Sequence, residues 1–209
     1  MSKKDYINNI EGVERRFIDP LMEVRAEGES EDIFGTAAVV DIVTDIGWFE
    51  EKISKGAFDD VLEGDTVALF NHDANLPLAR TTAKEEAKLK LFIDKKGNLG
   101  YSYPPPKTSI GKDLTENIRN QVIKHSSFAF TIKEEKWEFA SKENKREKDL
   151  RTIIKMERLY DVSPVTYPAY ADTDVAARSK ETFSKPDIEL SKREMKYTIN
   201  KIKNKIKIG

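Results

Sequence analysis

Up to about Thr173, apolar and polar positions alternate in short runs with a period of two, which is the pattern of half-buried strands. MEVRAEG predicts a first strand. FGTAAVVDIVT is rich in β-branched residues and bounded by glycine, so it predicts a buried strand. SKGAF leads into a short helix over Phe58–Leu62. TVALFNHD is the next strand, with Val67 and Leu69 on one face and Ala68, Phe70 and His72 on the other. KLKLFIDKKGNLGYSY predicts a hairpin turning at Lys96-Gly97-Asn98, and Pro104–Pro106 end it. In SIGKDLTENIRNQVIKH the period changes to that of a helix: Ile110, Leu114, Ile118 and Val122 recur every four residues behind a Thr108 or Ser109 cap. SSFAFTI and IKMERLYDVSPVT alternate again, and Lys142–Arg151 between them predicts a solvated loop. Together these elements predict a mainly β fold with peripheral helices, in the form of a small closed antiparallel β-barrel.

Composition narrows the chemistry. The 209 residues suit one domain with tails, or two small ones. There is no cysteine, so disulfides, thiol nucleophiles and thiolate metal sites are excluded. With only two histidines, His72 and His125, a zinc site would need mostly carboxylates. No metal or cofactor is expected. The net charge of −1 gives no global basic field and argues against nucleic acid as a partner. The first residues carry no apolar core of a secretory signal, and no apolar run reaches membrane-spanning length. Residues 1–20 are expected to be an arm, 21–178 the β domain, and 179–209 a lysine-rich tail that is flexible or removable.

KHSSFAF raises the chemical question. Strand periodicity sends Ser126, Phe128 and Phe130 one way, and His125, Ser127, Ala129 and Thr131 the other. Two phenylalanines belong in a core, so Ser127 is expected on the wet face, with small Ala129 leaving room beside it. A serine needs a base to become a nucleophile at neutral pH. His125 shares that face, but residues two apart on a strand stand roughly 6.5–7 Å apart, which strains direct contact. His72, on another strand, approaches more freely and is the preferred base. Asp161 is a candidate to orient the imidazole. Asp73 is a poorer one, because neighbouring residues on a strand face opposite ways. An oxyanion hole would need backbone N–H groups or an arginine. Taken separately, NHD is more often a strand-to-turn transition than a catalytic motif, and SS more often a polar strand face.

The order of the pieces adds to this. GWFEEKISKGAFDDVL, NHD after an apolar strand, PLAR, a capped helix, SSFAF and LYDVSPVTYPAYADTDV together resemble the prohead maturation proteases of tailed phages. The resemblance spans about residues 32–178. It implies a serine endopeptidase with an assemblin-like β-barrel, distantly similar to herpesvirus maturation proteases. It implies His72 as base, Ser127 as nucleophile and Asp161 as third member. Asp161 stands where that family usually has glutamate, so its carboxylate reaches one methylene less far. Ala79 and Ala129 stand where glycines are usual. The implied substrates are the scaffold, or a scaffolding part of the major capsid protein, and the protease itself, inside the immature capsid in the host cytoplasm. Self-association and removal of the tail are expected with them.

Three rivals remain at the level of sequence. One is a capsid-assembly or scaffold protein that keeps the fold without catalysis. A second is a hydrolase of another class, which the absence of any Gly-x-Ser-x-Gly elbow argues against. The third is nucleic-acid binding by the basic tail.

Overall fold

The computed structural model describes residues 12–18, 23–27 and 30–167, with residues 18, 23–27 and 30 described by backbone path alone. The chain divides into two compact units, Met1–Asp172 and Thr173–Gly209. The second unit, and with it the expected lysine-rich tail, lies outside the described residues.

The first unit is mainly β. In chain order the strands are β1 (Glu14–Ile18), β2 (Glu23–Glu27), β3 (Ser30–Ala38), β4 (Thr44–Asp45), β5 (Glu50–Ile53), β6 (Val67–Leu69), β7 (Pro77–Arg80), β8 (Lys90–Ile93) and β9 (Leu99–Tyr103). After these come helix α1 (Ser109–Arg119), β10 (His125–Glu138) and β11 (Leu150–Val165). One sheet runs β1-β10-β11-β5-β4, with β6 also on β11 and β7 on β6; the other runs β2-β3-β9-β8.

The expected closed barrel is not what forms. The described strands make two open sheets, and two of the pairings are parallel. The free edge of β11 is shared by β5 over Leu150–Ile153 and by β6 at Asp161 and Val162, both running parallel to it. Beyond β5, the sheet ends in the two-residue, exposed β4. Closure needs an edge long enough to continue the hydrogen-bond stagger round the barrel, and β4 offers none.

The core fills the space between the sheets. Ile33, Tyr101 and Tyr103 from one meet Phe128, Phe130 and Val162 from the other, with Leu114 and Ile118 of α1 beside them. Phe128 and Phe130 stack at 4.9 Å between centroids, and Phe58 packs edge-on to Phe128 at 6.0 Å. At Gly35 a Cβ would lie 2.3 Å from the Tyr101 ring, so the absent side chain lets that ring lie flat on β3.

Local chemistry explains most of the elements. Thr108 caps α1 by accepting from Gly111 N–H. The helix ends earlier than periodicity predicts. Gln121 turns left-handed (φ 57°), Val122 is exposed, and Ile123 takes the buried place beyond it. Ile110 is also exposed. The hairpin between β8 and β9 forms as read, with Gly97 at φ 97° and the Asp94 carboxylate accepting from the N–H groups of Lys96 and Asn98.

Three other readings change. Residues 57–64 form successive i to i+3 turns rather than an α-helix, and still bury Ala57, Phe58 and Val61. The strand from FGTAAVVDIVT stops at Ala38; Asp41 is left-handed (φ 58°), and Ile42 and Val43 face solvent. The charged run Lys142–Arg151 is a loop except at its end, where Arg151 enters β11 and is buried.

Arg151 is buried because a charged cluster receives it. It donates to Glu14, Glu51 and Glu135, while Arg16 donates to Glu14 and Glu51. Burial alone would raise the Glu14 pKa. The hydrogen bond from Arg151 and the charges of both arginines outweigh it, and the net shift is downward. Burial likewise opposes the charge on Arg16, but Glu51 and Glu14 hold its pKa above the usual arginine value. The cluster ties β1, within the stretch expected to be an arm, to β5, β10 and β11.

Candidate active site

Ser127 lies on β10, paired with Phe17 of β1 on one side and Ser163 of β11 on the other. The expected division of faces holds for the aromatic side. Ser126 points with Phe128 and Phe130 into the core, where its hydroxyl meets Tyr101 Oη at 3.0 Å. The other face is not wet. Ser127 and Ala129 are fully buried, and His72 from the turn after β6 meets Ser127 on that face.

Asp161 reaches that second face through a bulge. Ala129 pairs with Asp161, but the next pair is Phe130 with Leu159, leaving Tyr160 as an extra residue on β11. Without it, Leu159 and Asp161 would share a face. With it, Leu159 and Val162 both enter the core, while Asp161 and Ser163 join Ser127 and Ala129 on the other side.

His72 arrives from a turn, not from the strand read in TVALFNHD. β6 ends at Leu69, and Asn71 and His72 are both left-handed (φ 54° and 55°). Asparagine tolerates that conformation better than most residues. Asn71 also fixes the turn to the end of β11. Its N–H donates to Pro164 O (3.0 Å), its Oδ1 accepts from Thr166 N–H (2.9 Å), and its Nδ2 donates to Thr166 Oγ1 (3.3 Å). Because β6 runs parallel to β11 at Asp161, the turn beyond it falls on the same end of the sheet as Ser163.

The result is a continuous polar chain. His72 Nε2 lies 2.7 Å from Ser127 Oγ, and His72 Nδ1 lies 2.6 Å from Asp161 Oδ1. Ser127 Oγ also lies 2.9 Å from the Arg16 carbonyl, and Ser163 Oγ donates to Asp161 Oδ1 at 2.7 Å. Asp161, Ser127 and Ser163 are fully buried; the His72 side chain is 9% exposed. When Nδ1 carries the ring proton, Asp161 accepts it and Nε2 is free to take the hydroxyl proton of Ser127. Hydroxyl, imidazole and carboxylate in that order can perform nucleophilic acyl transfer.

The model of the family described as caudovirus prohead serine protease matches residues 21–186. The chain belongs to that family. Neither a curated protein nor a solved structure matches it.

The structure brings His72, Ser127 and Asp161 together within hydrogen-bond reach. It does not bring in Ser126, held by Tyr101, or Asp73, whose carboxylate accepts from Asn75 in the turn. Arg80 of PLAR forms an exposed pair with Asp65, whose carboxyl that hydrogen bond pulls down to about 2. Among the described residues no group of histidine, aspartate and glutamate could hold a metal, and no helix is long and apolar enough to cross a membrane. Sequence reasoning passed over three contributors. Ser163 had a signal, since it is the next polar residue on the Asp161 face. Asn71 had a weaker one in its place before His72. The Arg16 carbonyl had none, because a backbone acceptor carries no sequence mark.

Proposed function

We propose that this member of the prohead serine protease family is an active endopeptidase of capsid maturation, with Ser127 as nucleophile, His72 as general base and acid, and Asp161 as the group that orients the imidazole. The observation that carries the reading is the unbroken contact series Ser127 Oγ–His72 Nε2 and His72 Nδ1–Asp161 Oδ1. Ser127 Oγ attacks the scissile carbonyl carbon as its proton passes to Nε2. The tetrahedral intermediate collapses, and the same proton leaves with the departing amine. Water, deprotonated by His72, then hydrolyses the acyl-enzyme and restores the hydroxyl. Asp161 stabilises the imidazolium at both stages. Its shorter side chain is no obstacle, since Asp161 Oδ1 lies 2.6 Å from His72 Nδ1.

The substrates in this reading are the scaffold, or a scaffolding segment of the major capsid protein, and the protease chain itself, all inside the immature capsid. Co-expression with the cognate capsid protein tests it on a gel. Ser127→Ala and His72→Ala should each leave the capsid protein at full length, while Ser126→Ala should still process it. Processing by both Ser127→Ala and His72→Ala would favour the rival, an assembly protein that retains the fold without catalysis.

A further inference from the structure

Asp161 Oδ1 receives two donors, and the second has no place in the proposed proton path. Ser163 is two residues along β11 on the same face, and its hydroxyl donates to the oxygen that faces His72 Nδ1. Asp161 Oδ2 is buried and has no hydrogen-bond partner among the described residues. One carboxylate oxygen therefore carries all the hydrogen bonding the group has there.

Position explains the effect. Asp161 pairs with Ala129 and Val67, whereas the turn holding His72 is fixed further along β11, at Pro164 and Thr166. Ser163 stands between these two points. A donor there draws the carboxylate along the strand toward the imidazole and limits its rotation, because both hydrogens converge on Oδ1. Ala129 opposite Asp161 adds no bulk that would hold the carboxylate in place by packing.

We propose that Ser163 is a positioning residue: its hydroxyl holds Asp161 Oδ1 where it accepts the Nδ1 proton of His72, and so selects the imidazole tautomer whose Nε2 faces Ser127. Its catalytic consequence rests on the protease reading above. The contact and the tautomer do not, and they can be read without substrate.

The chain's two histidines make the test direct. In a His125→Gln background, ¹⁵N-histidine labelling reports His72 alone. The parent should show one tautomer, protonated at Nδ1, with a low-field proton on that nitrogen. Ser163→Ala should give a mixture of tautomers and lose the low-field proton, and Ser163→Thr, which keeps the hydroxyl, should restore both. Capsid-protein cleavage should fall roughly tenfold or more in Ser163→Ala with KM unchanged, the scale on which partners of a histidine's orienting group act. If a folded Ser163→Ala keeps the parent's single tautomer and low-field proton, the proposal is overturned. If that variant does not fold, Ser163→Cys, a weak donor, should show the mixture, and retention of the single tautomer there overturns it equally. Failure of the protease reading looks different: Ser127→Ala would leave processing intact while the tautomer still responded to residue 163.

Discussion

The hydroxyl of Ser127 lies between two acceptors, the Arg16 carbonyl at 2.9 Å and His72 Nε2 at 2.7 Å. It has one hydrogen, so only one acceptor receives it at a time. Donation to Arg16 leaves Nε2 as the donor to Ser127; donation to Nε2 is the arrangement that nucleophilic attack requires. The Arg16 carbonyl of β1 therefore competes with Nε2 for that hydrogen, and Asp161, by holding the ring proton on Nδ1, favours its donation to Nε2.

That dependence gives the first prediction. Asp161→Asn keeps the shape but can present an N–H to Nδ1, which favours the wrong tautomer. Cleavage should fall by about 10⁴-fold with little loss of stability, the scale set by tautomer reversal in serine proteases. The rate of capsid-protein cleavage and a urea titration on the same sample check both halves.

Ser126 and Ser127 should separate cleanly. Ser126→Ala removes a buried hydrogen bond to Tyr101, at a cost of about 0.5–1.5 kcal/mol. Urea denaturation should show the loss, while cleavage per folded molecule stays near the parent value.

The buried charges give a larger effect. Arg151→Met leaves Glu14 and Glu51 with Arg16 as their arginine and removes the arginine from Glu135, and breaking a buried ion cluster costs about 3–5 kcal/mol. The urea midpoint should drop accordingly. Hydrogen exchange at the β1 amides should rise before that of β11, because the cluster is what ties β1 by its side chains.

Acid should act through the same cluster. The folded-state pKa of Glu14 is lowered from 4.5, so its stabilising contribution is complete above that value and is lost as pH falls through the depressed one. The unfolded chain binds the proton first, so stability rises with pH across that window. Urea midpoints between about pH 6 and pH 3 should fall steeply at the acid end, and Glu14→Gln should flatten part of the slope.

Asn71 predicts a conformational effect. Asn71→Ala places a Cβ at φ 54° without the help of a polar side chain and removes two hydrogen bonds to Thr166. Asn71→Gly removes the same bonds but accepts the backbone. Both should slow cleavage, and the alanine variant should be the less stable by about 1 kcal/mol, read from paired melting or urea curves.

What the sequence disclosed follows from the range of each signal. The period of two in SSFAF separated Ser127 from the phenylalanines, and the hairpin at Gly97 and the Thr108 cap are equally local. The readings that changed depended on distant strands. Ser127 was expected to be wet because alternation names faces without saying what meets them; here His72 meets Ser127 on that face. The bulge at Tyr160 breaks the parity from which faces are counted, so Leu159 and Asp161 look equivalent in sequence and are not in space. Arg151 looked solvated because it closes a charged run, yet its partners at residues 14, 51 and 135 are scattered through the chain. Parallel pairing of β5 and β6 with β11 leaves no local trace, and the expectation of a closed antiparallel barrel failed on it.

Under the proposed protease reading, the complete burial of Ser127 has a consequence for access. The Ser127 oxygen can meet a scissile carbonyl only after the residues packed around it move aside, so substrate entry and local opening become one step.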